Sequence, residues 1–139
     1  MKVFLDSNFL ISALATRGLS ADLLELLLEI SQPLINQQVK NEVLEKLHLK
    51  FNLPKHLIEK VENLIEEFEI VPDSEKVPYS LRDPEDEGIL SAAIQAKCQY
   101  LLTGDKDLLV VKEKVQELTI LNPRDLWIIL KGDQFNPLP

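Results

Sequence analysis

Short apolar runs alternate with longer stretches of helical periodicity along the chain. Lys2–Leu5 is a brief apolar run that stops at an acid, which predicts a buried first strand. Asp6-Ser7-Asn8 closes it, and Asn8 or Ser7 can cap a helix running through Ala15. Thr16–Ser20 has turn composition, and Ser20 is positioned to cap a strongly apolar helix, Ala21–Ile30. Pro33–Asn36 predicts a second strand. Val39, Val43 and Leu47 recur on one face, predicting a helix to about Lys50. Pro54 suits the start of another, continued by Leu57, Val61, Leu64, Ile65 and Phe68. Phe68–Val71 is a third strand candidate. The polar stretch Pro72–Arg82, with two prolines, is a loop. Asp83-Pro84 opens a helix to about Lys97, and Gln99–Leu102 and Leu118–Leu121 predict two more strands. Pro123 opens a last helix through Leu130.

Strands that alternate with helices predict an α/β fold, with about five parallel strands covered on both faces. The 139 residues fit one domain, taken as residues 1–131, with 132–139 as a frayed C-terminal tail.

Composition narrows the chemistry. A 45 % hydrophobic content is enough for a real core. The single cysteine, Cys98, excludes an intrachain disulfide and a thiolate zinc site. Two histidines, His48 and His56, in polar stretches are too few for an imidazole metal centre. Nothing is long and apolar enough for a membrane span, and the N-terminal run is too short for a signal peptide, so a cytoplasmic location is expected. The net charge of −8 disfavours a general nucleic-acid binder. It is a weaker objection to an enzyme acting on nucleic acid through bound metal, because the metal reverses the local sign.

In open parallel sheets, sites form beyond the carboxyl ends of strands near the switch in strand order. Asp6 and Asp105 both follow predicted strands, and share one crevice if those strands are neighbours. Glu42 and Asp86 are the helical acids that can join them. Asp86 falls near the centre of the apolar stripe Ile89, Leu90, Ala93 and Ala96, where an ionised carboxylate is costly without a partner. Glu42 sits at the edge of its helix face, four residues before Lys46, which also suits a surface ion pair. A carboxylate set without histidine or thiol favours Mg²⁺ or Mn²⁺ and suits phosphodiester hydrolysis.

The segments Asp6-Ser7-Asn8-Phe9-Leu10-Ile11, Asp83-Pro84-Glu85-Asp86-Glu87-Gly88-Ile89-Leu90 and Leu101-Leu102-Thr103-Gly104-Asp105-Lys106-Asp107 resemble the acidic motifs of PIN domains. Glu42 in Val39-Lys40-Asn41-Glu42-Val43 matches the helical glutamate of the same family. The resemblance covers nearly the whole chain and is to the VapC-like branch, the toxin components of prokaryotic toxin–antitoxin systems. It implies a three-layer α/β/α fold and a Mg²⁺- or Mn²⁺-dependent endoribonuclease. Asp6, Glu42, Asp86 and Asp105 would then be the catalytic metal ligands. Asn8, Ser7 and Thr103 would support them by hydrogen bonds, and Asp107 would be auxiliary. An RNA substrate, an antitoxin partner and a homodimer are implied as well.

Plainer roles stand beside these. Asp83 suits an N-cap better than a ligand, though it is the rival of Asp86 for the third place. Asp6 can simply cap the first helix, and Asp105 can be a turn residue. A non-catalytic PIN-like interaction module is the alternative function. A haloacid-dehalogenase-like phosphatase would need an aspartate where Asn8 stands.

Overall fold

The computed structural model describes residues 1–73 and 79–135. The middle of the predicted 72–82 loop and the last four residues lie outside them. The elements run β1 (Lys2–Leu5), α1 (Ser7–Ala15), α2 (Leu19–Ile30), β2 (Gln32–Asn36), α3 (Gln37–Leu49), α4 (Lys55–Glu66), β3 (Glu69–Val71), α5 (Pro84–Gln95), β4 (Tyr100–Leu102), α6 (Lys106–Leu109), β5 (Thr119–Leu121) and α7 (Pro123–Phe135).

The five strands form one parallel sheet in the order β3-β2-β1-β4-β5. By the right-handed rule for parallel crossovers, this strand order puts α1–α4 on one face and α5 on the other, three α/β/α layers. The last helix, α7, returns against α2. The strands are short and apolar because both sheet faces are covered: Val3, Phe4, Leu5, Leu34, Ile35, Leu101 and Leu102 are fully buried. Each such side chain contributes roughly 1.5–3 kcal/mol, so the strand ends are held firmly in place. On α5, Ile89, Leu90, Ala92 and Ala93 face the core, and the small residues let the helix lie close to the sheet.

The helix caps differ from the sequence expectation in instructive ways. Asp6, rather than Ser7 or Asn8, caps α1; its carboxylate accepts from the Ser7 N–H at 2.8 Å. Ser20 does not cap α2. That helix starts at Leu19, because Gly18 with φ +132° makes the turn into it, with no side-chain cap. Asn36 caps α3 through the Val39 N–H at 3.0 Å, which moves its start to Gln37. The last helix passes Leu130 and continues to Phe135. The one-turn helix α6 was absent from the sequence pattern, being too short to show periodicity. Cys98 is buried, as its type suggests. No helix among the described residues is long and apolar enough to cross a membrane.

Candidate metal centre

In this strand order the chain fills one side of β1 with β2 and β3, then crosses to the other with β4 and β5. The switch point therefore lies between the carboxyl ends of β1 and β4. Asp6 alone separates β1 from α1, and its N–H extends the ladder to the Leu102 carbonyl at 3.0 Å. Its side chain is thereby fixed at the switch point. Asp105 stands three residues beyond β4 and caps α6 by accepting from the Asp107 N–H at 2.8 Å.

Thr103 joins the two acids. Its fully buried hydroxyl donates to Asp6 Oδ2 at 2.6 Å and accepts from the Asp105 N–H at 2.9 Å. One donor and one acceptor are both used. Asn8 Oδ1 accepts from the Gly104 N–H at 3.1 Å and ties the start of α1 to the same loop. Ser7 Oγ donates to Glu42 Oε2 at 2.6 Å, holding the α3 glutamate toward the cleft. Gln38, which sequence reasoning missed, donates to Glu42 Oε1 at 3.1 Å and to the Glu85 carbonyl at 3.2 Å. It bridges α3 to α5; its only sequence signal is its place four residues before Glu42.

Asp6, Ser7, Asn8, Gln38, Glu42 and Asp105 line a cleft of about 170 Å³ together with Asp83, Glu85, Asp86 and Lys46. Larger cavities of about 570 and 530 Å³ lie elsewhere. Neither gathers the switch-point residues, so chemistry, not size, singles out the small one.

Asp86 is the residue the fold leaves unanswered. It lies in the first turn of α5, is 7 % exposed, and its Oδ2 is buried without a hydrogen-bond partner. Removal from water pushes its carboxyl up to about 7, and the charges of Asp105, Asp6, Asp83 and Asp107 add to the shift. Asp6 is also raised. Its burial outweighs the opposing hydrogen bonds from Thr103 and Ser7, and Glu42 and Asp105 push the same way. Asp83 caps α5 by accepting from the Glu85 N–H at 3.0 Å.

Asp86, Asp105 and Asp107 each bring one carboxylate oxygen within 4.8 Å of the others. Asp6 and Glu42 line the same cleft but are tied by Thr103, Ser7 and Gln38. The tight group thus includes Asp107, which the resemblance made auxiliary. Arg82 Nη1 stands 3.9 Å from Asp107 on a side chain 87 % exposed. An orphaned buried carboxylate oxygen inside an all-oxygen donor set fits a hard divalent cation.

The PIN domain family matches residues 2–107. No curated protein matches the sequence. Among solved structures, the chain is similar to VapBC2 from Rickettsia felis bound to a DNA fragment from their promoter. That likeness has a TM-score of 0.62 at 18 % identity, covering 88 % of this chain and 98 % of the other. It is also similar to the PIN domain endonuclease Utp24, with a TM-score of 0.55 at 27 % identity, covering 87 % of this chain and 84 % of that one. With three quarters of its length matched and the fold shared, the chain belongs to the PIN domain family.

Proposed function

We propose that this chain is a divalent-metal-dependent endoribonuclease whose ligand set is Asp6, Glu42, Asp86 and Asp105. The observation that carries it is the buried, partnerless Oδ2 of Asp86 beside Asp105 and Asp107. Ionised among like charges, such an oxygen is costly to bury, and a bound cation would remove that cost. Membership of a family whose members are generally nucleases, and likeness to an endonuclease, support hydrolysis of a phosphodiester.

Asp86 and Asp105 would hold the cation, with Asp6 and Glu42 completing the set directly or through water. Mg²⁺ or Mn²⁺ suits these oxygen donors; when bound it acidifies the attacking water and neutralises charge on the phosphate. The residues around it fix the geometry. Thr103 locks Asp6 and the Asp105 backbone as one unit, Ser7 and Gln38 orient Glu42, and Asn8 holds the Gly104 loop. Asp107 adds a third carboxylate oxygen to the tight group. Water is added across a P–O bond, leaving a phosphate monoester on one fragment and a hydroxyl on the other.

The VapC-like motifs, with the fold shared with a VapBC2 structure, support a toxin of a toxin–antitoxin pair with an antitoxin partner; a cytoplasmic homodimer belongs to the same proposal. The test is cleavage of labelled single-stranded RNA with Mn²⁺, Mg²⁺ or chelator, beside Asp6→Asn and Asp105→Asn. Metal-dependent cleavage lost in both variants is expected. Cleavage in chelator, or unchanged in the variants, would overturn the assignment. RNA binding without turnover would favour the non-catalytic module.

A further inference from the structure

The cleft presents a phosphate chain with six carboxylate residues and a single base, Lys46, among its lining. Bound cation neutralises the inner acids, but Asp83 and Glu85 still face an approaching strand. Lys46 is exposed on α3, one turn beyond Glu42, so it lies on the same helix face about 6 Å further along the axis. It forms no ion pair among the described residues, with Glu42 held by Ser7 and Gln38 instead. Of the other bases near the acids, Arg82 lies against Asp107, and Lys106 stands between Asp105 and Asp107 at the start of α6, outside the cleft lining.

Building on the nuclease assignment, we infer that Lys46 is a positioning residue for the substrate backbone: it takes the phosphate next to the scissile one. With the reacting phosphate at Asp86 and Asp105, Lys46 is the cationic side chain of the cleft lining that can meet a neighbouring phosphate. The contact is a point charge on a flexible stem, which suits a phosphate and carries no base preference.

Anisotropy of a labelled single-stranded RNA across a salt series, with Ca²⁺ replacing Mg²⁺ so that the strand binds without being cut, tests this with Lys46→Gln, Lys46→Arg and Lys60→Gln. The last removes the same charge from the exposed face of α4, outside the cleft. Lys46→Gln should bind about fivefold more weakly, with a salt slope shallower by about 0.7, the loss of one single-strand phosphate contact. Lys46→Arg should restore both, and Lys60→Gln should match the wild type. In cleavage, Lys46→Gln should raise KM by a similar factor with kcat within about twofold. Mn²⁺ affinity should not fall. Wild-type affinity and salt slope in Lys46→Gln would overturn the inference while leaving the nuclease assignment standing. A fall in kcat at unchanged KM, or weakened Mn²⁺ binding, would place Lys46 with the carboxylates and overturn it too. A wild-type protein that neither binds nor cleaves RNA would remove both.

Discussion

If Asp86 is held in place for a cation, then without one it should work against folding. Its carboxyl is raised from 3.8 to about 7 in the folded, metal-free chain. One pK unit corresponds to ~1.4 kcal/mol, so the shift amounts to about 4 kcal/mol as a ceiling. The sign follows from proton counts. Between pH 4 and 7 the folded chain holds a proton on Asp86 that the unfolded chain has released. Stability is therefore fully present below the unfolded value and is lost as pH rises through the folded one.

Asp86→Asn removes the titration and keeps the shape. Urea unfolding in chelator should show the variant gaining on the wild type by roughly 1.4 kcal/mol per pH unit between pH 5 and 7, then levelling off. The buried amide has its own desolvation cost of about 1–3 kcal/mol, so the net advantage at pH 8 should be at most about 2 kcal/mol. That is a rise in Tm of roughly 4–8 °C for a chain of this size. Mn²⁺ at a hundred times its Kd should reverse the order. It should stabilise the wild type by about 2.7 kcal/mol and leave the variant unmoved. A difference between the two proteins that does not change with pH would refute the reasoning, as would an Asp86→Asn protein that Mn²⁺ stabilises equally.

Other positions give sharper local tests. Thr103→Val keeps the volume but strips the hydroxyl from Asp6 and the Asp105 N–H, and should lower stability by about 2 kcal/mol and cleavage by more than tenfold. Asn36→Ala removes the α3 cap and should cost about 1 kcal/mol in chemical denaturation without changing Mn²⁺ affinity. Lys97 closes α5 with φ +59°, a left-handed conformation that favours glycine. Lys97→Gly should raise stability by up to about 1 kcal/mol, read as an increased denaturation midpoint at unchanged m-value.

The parts of the site that the sequence revealed are those set by one element. Asp6 and Asp105 could be placed because each ends an apolar run, and β1 and β4 are indeed neighbours. Asp86 could be placed because the α5 wheel turns it toward Ile89, Leu90 and Ala93, and it is buried there. What stayed hidden depends on pairs brought together from afar. Thr103 was expected as a hydrogen-bonding support, but not that it reaches Asp6 across 97 residues, and Gln38, which reaches the Glu85 carbonyl across 47, was not expected at all. No periodicity records which carboxylate oxygens are thereby occupied, so the free oxygen on Asp86 and the approach of Asp107 emerge only from the packed chain. The Gly18 turn was missed for a related reason: Ser20 is a good cap by type, but backbone geometry begins the helix before it.

The caps also explain how a chain of net charge −8 tolerates so many acids at one point. Asp6 and Asp83 each occupy the N-cap of a helix of nine or more residues, where the dipole favours negative charge. Asp105 likewise accepts an N–H at the start of α6. Three of the acids are thus held by backbone donors, with or without metal. Asp86 sits one turn further in, past its helix's cap, and its buried oxygen receives no donor. The caps can fold the cleft, but they cannot satisfy that oxygen. Below about pH 7 a proton on Asp86 is the metal-free chain's compensation; a cation placed there would replace it and would also reverse the repulsion that a phosphate would meet. On the proposed assignment, folding stability and substrate attraction hinge on the same atom. This is why Asp86→Asn should separate them, stabilising the metal-free fold while abolishing the chemistry.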